Sequence, residues 1–126
     1  MNQKVAYVTG GMGGIGTTMC QRLHSDGFKV IAGCGPTRDF KKWLDEQKAL
    51  GFTFYASVGN VSEWDSTVEA FNQAKQEHGS IDVLVNNAPP AFIGIDECSY
   101  EQFQQSLAVG VTAPFYLVKL LKEHLA

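Results

Sequence analysis

The stretch that decides the fold of this 126-residue chain reads Val5-Ala6-Tyr7-Val8-Thr9-Gly10-Gly11-Met12-Gly13-Gly14-Ile15-Gly16. Its first four residues are apolar and predict a short strand that is buried on both faces. Five of the 13 glycines then fall within residues 10–16. Beyond Gly16 the apolar residues are spaced four apart, which is typical of a helix. The stretch therefore predicts a strand, a tight glycine turn and a helix in direct succession.

The glycine turn has the residue spacing of an anion-binding loop. Gly11, Gly13 and Gly16 satisfy the pattern G-x-G-x-x-G, in which glycine permits a tight turn, a close approach to a pyrophosphate and close packing of helix on strand. A helix beginning near Gly14 would offer its unpaired N–H groups and positive dipole end to that anion. A turn without a ligand is the alternative, but it does not require so many glycines. A P-loop is excluded, because Thr17-Thr18 stands where that motif needs Lys followed by Ser or Thr.

The rest of the chain repeats the alternation of strand and helix. Further strands are predicted at 28–32, 52–56 and 81–85, and helices at 39–50, 62–78, 99–107 and 113–126. Such helices between strands require parallel pairing through crossovers, and right-handed crossovers favour an open sheet. We therefore expect an α/β fold with a three-layer, doubly wound parallel sheet of the Rossmann type, truncated to four strands in the order 3-2-1-4. One domain is predicted over residues 1–126, with a cofactor-binding half at 4–88 and a helical continuation at 89–126.

Ser62 is predicted to cap the third helix, because an acid follows three residues later. Apolar spacing also predicts which face of each helix packs on the sheet. The predicted apolar faces are Ile15, Met19 and Leu23; Phe40, Trp43, Leu44 and Leu50; Trp64, Val68, Phe71 and Ala74; and Phe115, Val118, Leu121 and Leu125.

Charge and composition exclude several classes of partner. Lys and Arg number 10 against 13 Asp and Glu, a formal net charge of −3, so neither nucleic acid nor an anionic membrane is expected. The stretch from Val5 to Gln21 is too rich in glycine to span a bilayer, and no secretory signal is predicted. Cys20, Cys34 and Cys98 show no CxxC spacing. They predict reduced thiols in a cytoplasmic location, with no metal site.

The residues after the second strand indicate which dinucleotide the turn would take. A site for NAD usually has Asp or Glu there, about 20 residues past the glycines, to accept from the ribose hydroxyls. This chain has Ala32-Gly33-Cys34-Gly35 instead, where the strand passes into a predicted loop, and then Arg38, Lys41 and Lys42. A missing acid and nearby cations favour a 2′-phosphate and hence NADP. Alternatively, the cations are the solvated first turn of a helix.

Two asparagines are predicted to lie at the same edge of the sheet as the glycine turn, because they follow the third and fourth strands. Ligands of open parallel sheets bind along that edge. Asn60, between Gly59 and Val61, could hydrogen-bond an adenine, and Asn87-Ala88 could line a ribose. Either asparagine could instead form a turn in which its amide satisfies local backbone groups.

Together these motifs resemble the short-chain dehydrogenase/reductase family. Its cofactor signature T-G-x-x-x-G-x-G is matched by Thr9, Gly10, Gly14, Ile15 and Gly16. Asn86-Asn87-Ala88 matches its N-N-A-G element, except that Pro89 replaces the glycine. Residues 4–88 are similar to the NADPH-dependent acetoacetyl-CoA reductases of that family, whose substrate is a 3-oxoacyl-CoA. The resemblance implies NADP as cofactor, with contacts from Gly10, Met12, Gly13, Gly14, Ile15, Gly16, Gly35, Arg38, Gly59, Asn60, Val61, Asn87 and Ala88.

The sequence departs from the family where the family carries its chemistry. Hydride transfer to a ketone needs a proton donor, which the family supplies from a Tyr-x-x-x-Lys pair whose lysine lowers the pKa of the tyrosine. None of the four tyrosines has lysine four residues later, and Gly110 stands where the family has a catalytic asparagine. No residue is therefore predicted to be catalytic, and the chain is expected to be inactive alone. The alternative is a non-catalytic nucleotide-binding or interaction module, either truncated or engineered.

Two apolar surfaces of the predicted fold are expected to be open. The fourth strand, with Val83-Leu84-Val85, would lack a neighbour on one side. The last helix would lack its usual neighbours. Self-association through the last helix or the strand edge is therefore expected.

Overall fold

The computed structural model describes residues 3–88 and 96–122 of the chain. Its elements are β1 (Val5–Val8), α1 (Gly14–Ser25), β2 (Lys29–Cys34), α2 (Phe40–Ala49), β3 (Tyr55–Val58), α3 (Trp64–His78), β4 (Val83–Val85), α4 (Tyr100–Leu107), a π-helical turn (Ala108–Thr112) and α5 (Ala113–Leu121). The last three follow one another without a break. The predicted loop prolines Pro89 and Pro90, and Leu125 of the last helix, lie outside the described residues.

The four strands form one parallel sheet in the order β3-β2-β1-β4, which confirms the predicted topology. In this register Tyr7 of β1 lies beside Ile31 of β2 and Leu84 of β4. β1 is buried along its whole length, because it has a strand on each side and apolar clusters on both faces. The carboxyl ends of all four strands therefore meet at one edge of the sheet.

Two apolar clusters cover the two faces of the sheet and produce the predicted three layers. The first joins the sheet to α3 and α5 and contains Val5, Tyr7, Ile31, Phe71, Ala74, Ile81, Leu117 and Leu121. The second joins it to α1 and α2 and contains Val8, Met12, Cys20, Val30, Ala32, Cys34, Trp43 and Phe54. Neighbouring residues of β1 and β2 fall into different clusters, because successive side chains of a strand point to opposite faces.

The bounds of β2 and β3 differ from the prediction. β2 continues through Gly33 and Cys34, which the sequence pattern assigns to a loop, because both residues pair in register with β3. β3 begins at Tyr55 instead of at residue 52. Phe54, just before it, is buried against Trp43, with 5.2 Å between the ring centroids. Its aromatic side chain favours a strand in the sequence pattern, but in the structure Phe54 packs against α2 and lies just before β3.

β4 is shorter than predicted, because it begins at Val83 and not at Ile81. Asp82 ties the chain to β1 before pairing starts: its carboxylate accepts from the Val5 N–H at 2.9 Å. Ile81 is fully buried in the first cluster without belonging to the strand.

α1 is rotated about its axis relative to the predicted face. Gly16 and Cys20 are its buried residues, whereas Ile15 is 70% exposed and Met19 is exposed as well. Of the predicted face, Leu23 is partly buried against the second cluster. The prediction was wrong because a glycine makes the closest contact with the layer below, and an apolar pattern does not register a residue without a side chain.

Of the predicted face of the last helix, Leu121 is buried as predicted, whereas Phe115 and Val118 are not. Leu117 and Leu121 of α5 are buried in the core. Phe115 is 63% exposed and Val118 is exposed. Leu117, which lies outside the predicted face, is buried as well, and the sequence pattern alone does not say which of two apolar faces packs on the sheet.

α2 and α3 bury most of their predicted faces but not the ends. Trp43 in α2 is buried, as are Phe71 and Ala74 in α3. Leu50 and Trp64, at one end of each helix, are exposed.

Ser62 does not cap α3, contrary to the prediction. The N-cap residue is Glu63, which makes no side-chain capping bond. The Ser62 hydroxyl donates to the side-chain oxygen of Asn60 at 2.6 Å instead. Ser99, by contrast, caps α4 through a reciprocal capping box with Gln102.

Candidate functional site

A small cleft opens at the carboxyl edge of the sheet, between the ends of the strands. Its volume is about 120 Å³, and it is lined by Thr9, Gly10, Gly33, Cys34, Gly35, Gly59, Asn60, Val61 and Ala88. The structure thus brings together six of the predicted contact residues and adds Thr9, Gly33 and Cys34 to them. Outside this lining are the predicted contacts Met12, Gly13, Gly14, Ile15, Gly16, Arg38 and Asn87.

The glycine turn packs its own backbone against the sheet and α1 at two points. Gly10 has a φ of +61°, and a Cβ there would stand 2.9 Å from the Ala88 Cα atom. A Cβ at Gly16 would overlap the carbonyl oxygen of Gly10 and stand 2.8 Å from the Gly11 Cα atom. Glycine at these positions therefore permits the close helix–strand packing that the sequence pattern predicts.

The N-terminus of α1 is uncapped. Its N-cap residue is Gly13, which has no side chain, and no acid stands in the first turn. The first intrahelical bond runs from the Thr17 N–H to the Gly13 carbonyl at 2.8 Å. The N–H groups of the first turn and the positive end of the helix dipole are therefore available to an anion. Ile15 is exposed at this end, while Met12 is buried behind the turn.

Thr9 joins the ends of β1 and β4, a role that the sequence reasoning missed. It is buried, and its hydroxyl donates to the Val85 carbonyl at 3.3 Å. The same oxygen accepts from the N–H groups of Asn87 at 2.9 Å and Ala88 at 3.1 Å. The signal for this role is a polar residue directly after a buried apolar strand, because a buried hydroxyl must find partners.

Asn87 holds the glycine turn in place. Its Nδ2 donates to the Gly10 carbonyl at 3.1 Å. The amide therefore satisfies a backbone group, which was the alternative to lining a ribose. Ala88, next in the chain, lines the cleft.

Asn60 is also engaged within its own turn. Its Oδ1 accepts from the Ser62 N–H at 3.0 Å and from the Ser62 hydroxyl at 2.6 Å. Its own N–H donates to Ser66 Oγ at 2.8 Å. The turn between β3 and α3 is thereby fixed, and Asn60 remains part of the cleft lining.

Arg38 lies next to the end of β2. It is exposed, and its N–H donates to the Gly35 carbonyl at 3.3 Å. An open depression of about 680 Å³ beside it is lined by Gly35, Thr37, Arg38, Asp39, Lys42, Trp43 and Glu46. Lys41 and Lys42 belong to the first turn of α2, where the Asp39 side chain accepts from the Lys42 N–H at 3.1 Å. The two lysines thus fit the alternative in which the cations belong to the solvated first turn of a helix. Arg38 precedes that helix.

Two titratable side chains near the cleft are unsuited to proton transfer near neutral pH. Burial raises the pKa of Tyr7 to about 12, and its hydroxyl donates to Ser57 Oγ at 2.7 Å. Burial also raises the pKa of the Cys34 thiol, and the nearby charge of Arg38 opposes that shift. The free N–H groups at the start of α1 offer this edge of the sheet a place to bind an anionic ligand.

Within residues 3–88 and 96–122, no three His, Cys, Asp or Glu side chains lie close enough to hold a metal ion. None of the helices in those ranges is both long and apolar enough to cross a bilayer.

Residues 4–126 match the family model described as short chain dehydrogenase. An acetoacetyl-CoA reductase of Cupriavidus necator is 64% identical over 89 residues, which cover 70% of this chain and 36% of the relative. An acetoacetyl-CoA reductase of an Acinetobacter species is 32% identical over 116 residues, which cover 90% of this chain and 47% of the relative. The chain thus spans less than half the length of these two relatives.

Solved structures with the same fold include two cofactor complexes. A blue fluorescent protein from a metagenomic library, in complex with NADPH, superposes with a TM-score of 0.84 at 28% identity, over 98% of this chain and 52% of that one. A metagenomic short-chain oxidoreductase in complex with NADP gives a TM-score of 0.84 at 26% identity, over 96% of this chain and 56% of that one.

Proposed function

Since this chain belongs to the short-chain dehydrogenase family, we propose that it is the NADP(H)-binding domain of a reductase that acts on a 3-oxoacyl thioester of the acetoacetyl-CoA type. The observation that carries the proposal is the glycine turn, which leads into the uncapped N-terminus of α1 beside the cleft. The acetoacetyl-CoA reductase relatives support the choice of substrate class. In this proposal residues 1–126 form one domain, 4–88 bind the cofactor and 89–126 continue the fold.

We assign the parts of the dinucleotide by the order of the strands. The pyrophosphate lies on the N–H groups of 14–16, at the start of α1. The adenosine ribose and its 2′-phosphate lie at the end of β2, near Gly35 and Arg38. The adenine follows at the end of β3, near 59–61, and the nicotinamide half extends towards β4, near 87–88. Gly10 and Met12 support the turn from the side of the sheet.

The end of β2 favours NADP over NAD. Cys34 and Gly35 stand where an NAD site has an acid that accepts from the ribose hydroxyls. An acid there would repel a 2′-phosphate, whereas Arg38 offers that phosphate a planar set of donors. The NADPH and NADP complexes among the similar structures support the same choice.

Titration of the purified chain with NADPH and NADH, followed by fluorescence, tests this assignment. NADPH is expected to bind more tightly. Arg38→Ala is expected to weaken NADPH binding by about tenfold or more, the worth of a hydrogen bond between charged groups, and to leave NADH binding unchanged. Arg22→Ala removes an exposed arginine from the last turn of α1 and serves as the matched control. Tighter binding of NADH than of NADPH would contradict the assignment.

A second candidate function is a nucleotide-binding module without catalysis. The observation that favours it is the sequence itself, which has no Tyr-x-x-x-Lys pair and has Gly110 in place of the family's asparagine. The chain alone is therefore expected to bind NADPH without oxidising it when acetoacetyl-CoA is added. Oxidation of NADPH at an ordinary enzymatic rate would exclude the module.

We also propose that the chain associates with copies of itself. α4, the π-helical turn and α5 carry an apolar stripe, which consists of Tyr100, Phe103, Leu107, Val111, Phe115 and Val118, all of them exposed. Their spacing of three or four residues puts them on one side of the helical segment. The open edge of β4 is the other surface on which association is proposed.

The thiols support a cytoplasmic location in this proposal. Cys20, Cys34 and Cys98 are free, and Cys20 and Cys34 are buried among apolar side chains. Unpaired cysteines of this kind suit a reducing compartment.

A further inference from the structure

Trp43 of α2 is tied to the glycine turn by its indole N–H. It is buried in the second cluster, where its ring stacks on Phe54 with 5.2 Å between the centroids. Its Nε1 donates to Thr17 Oγ1 of α1 at 3.0 Å. The Thr17 hydroxyl in turn donates to the Gly13 carbonyl at 2.6 Å. Two hydrogen bonds in series therefore connect α2 with the residue at which the turn becomes a helix.

The indole fixes the direction of this connection. An indole N–H can donate but not accept, so Thr17 Oγ1 must be the acceptor of that bond. The single proton of the hydroxyl is then directed to the Gly13 carbonyl, which also accepts from the Thr17 N–H at 2.8 Å. A carbonyl oxygen has two lone pairs. Both are therefore used, and the Gly13 peptide group is held by Thr17.

The turn is held at its other end as well. The Gly10 carbonyl accepts from Asn87 Nδ2 at 3.1 Å and from the Gly13 N–H at 3.3 Å. Asn87 follows β4, whereas Trp43 belongs to α2, so side chains from two separate parts of the fold fix a segment that is mainly glycine. Glycine loses more conformational freedom on ordering than any other residue. A turn that is already ordered therefore binds a ligand without that loss.

We infer that Trp43 is a positioning residue for the glycine turn: through Thr17 it holds the Gly13 carbonyl, so that the N–H groups of 14–16 are oriented before a pyrophosphate binds. The inference rests on the proposed NADP(H) function, which places the pyrophosphate on those N–H groups. Trp43 itself touches no part of the ligand in this arrangement. Its effect reaches the ligand through the hydroxyl of Thr17.

A different role for Trp43 would leave a different signature. Trp43 also lines the open depression beside Arg38, where the 2′-phosphate is proposed to lie. The pyrophosphate is common to NADPH and NADH, whereas the 2′-phosphate belongs to NADPH alone. A residue that positions the glycine turn must therefore affect both cofactors by the same factor, and a residue that acts at the depression must affect NADPH more.

Thr17→Val removes the hydroxyl and keeps the branched shape of the side chain. It is expected to weaken the binding of NADPH and of NADH equally, by about three- to tenfold, the worth of one hydrogen bond. Thr17→Ser keeps the hydroxyl and is expected to bind both cofactors like the wild type. Isothermal titration calorimetry gives each Kd without requiring turnover, and the melting temperature of each variant shows that it is folded during the titration.

Thr18→Val is the matched control. Thr18 is the next residue of α1, and its hydroxyl donates to the Gly14 carbonyl at 3.3 Å. This bond has the same spacing of four residues, but both of its ends lie within α1. The variant therefore loses a hydroxyl of the same kind without losing the connection from α2 to the turn. It is expected to bind NADPH and NADH like the wild type.

Trp43→Phe tests the indole itself, because it keeps a ring against Phe54 and removes the N–H. It is expected to weaken the binding of both cofactors by about threefold, the lower worth of a hydrogen bond. The double variant Trp43→Phe/Thr17→Val is expected to bind no more weakly than Thr17→Val alone, since Trp43 acts through the hydroxyl that is already absent. In the wild type, either cofactor is expected to slow hydrogen exchange of the Trp43 indole N–H, because ligand and bond stabilise the same turn.

The outcomes separate the inference from the proposed function. If the wild type binds NADPH and Thr17→Val binds both cofactors as tightly as Thr18→Val, the inference is overturned and the NADP(H) function stands. A Trp43→Phe variant that keeps the wild-type affinities, or that loses affinity for NADPH alone, overturns it equally. So do losses that add in the double variant, and an indole N–H whose exchange in the wild type is unchanged by either cofactor. If the wild type binds neither NADPH nor NADH, the proposed function fails and the inference fails with it.

Discussion

Gly16 is the residue at which the glycine turn and α1 come closest together. A Cβ there would overlap the Gly10 carbonyl oxygen and stand 2.9 Å from Asn87 Nδ2. Since the obstructing oxygen belongs to the backbone, relief requires the turn to move away from the helix. Gly16→Ala is therefore expected to lower the free energy of unfolding by about 1–3 kcal/mol. It should also weaken NADPH binding by more than about tenfold, because the proposed phosphate site lies on this turn. Urea unfolding and fluorescence titration measure the two effects.

Gly14→Ala is the matched control for stability. Gly14 is the first residue of α1, and a Cβ there would meet no heavy atom within 4 Å. Because alanine is preferred to glycine in a helix by up to about 1 kcal/mol, this variant is expected to be as stable as the wild type or more stable. A Gly16→Ala variant that matched Gly14→Ala in stability would mean that the turn is not packed on the helix as described.

The site was only partly predictable from the sequence, for a reason visible at single residues. Gly10 and Gly16 could be predicted, because only glycine fits where the backbone of the turn comes this close to neighbouring backbone atoms. The bonds of Thr9 to Asn87 join residues 78 positions apart, and no local pattern encodes that meeting. Asn60 shows the same limit: its position at the strand end follows from the sequence, whereas the direction of its amide depends on Ser62.

At the scale of the elements, strand order was more predictable than helix rotation. Alternating strands and helices leave few topologies once crossovers are parallel and right-handed, so the order 3-2-1-4 followed directly. The rotation of α1 depends on Gly16 and Cys20, which are small and contribute little to an apolar pattern. α5 has apolar residues on two sides. The side that is buried is the one that packs between the sheet and α3. The pattern therefore identifies elements better than it identifies their contacts.

The C-terminal end of α3 carries a histidine that resists protonation in the fold. The His78 side chain is only 7% exposed, and within the described residues its Nδ1 has no hydrogen-bond partner. Burial lowers its pKa below the ordinary 6.5, the charge of Lys29 lowers it further, and Glu77 opposes the shift. A lowered folded pKa contributes stability that is present above pH 6.5 and is lost as the pH falls below it, because the unfolded chain then takes up the proton more readily. Thermal unfolding between pH 8 and pH 5 is expected to show this loss.

Two variants test whether the loss of stability at acid pH comes from His78. His78→Phe keeps a ring against Tyr55, where the centroids are 4.7 Å apart in the wild type, and removes the titrating group. It is expected to lose less stability than the wild type between pH 7 and pH 5. Lys29→Gln removes the positive charge that lowers the pKa of His78 and is expected to act in the same direction, more weakly. Identical pH profiles for wild type and His78→Phe would assign the acid sensitivity to other groups.

At the scale of the whole molecule, the two open surfaces differ in what they offer a second copy. β4 is three residues long and all three are half-buried, so its edge offers a short ladder of backbone groups. The apolar stripe runs from Tyr100 to Val118, and Phe103, Val111 and Phe115 are each more than half exposed. Because the free energy of association through an apolar surface grows with the area removed from water, we expect the stripe to be the stronger of the two surfaces in the proposed self-association.

The double variant Leu107→Glu/Phe115→Glu tests the stripe. Burying two charges against the same surface of a second copy is costly without partners of opposite sign, so the variant is expected to sediment as a monomer at concentrations where the wild type sediments as a larger species. Leu50→Glu changes a residue that is 66% exposed but outside the stripe, and it is expected to associate like the wild type. Sedimentation velocity at several concentrations makes the comparison. Association that survives the double variant would point to the β4 edge, and a wild type that stays monomeric would exclude both surfaces.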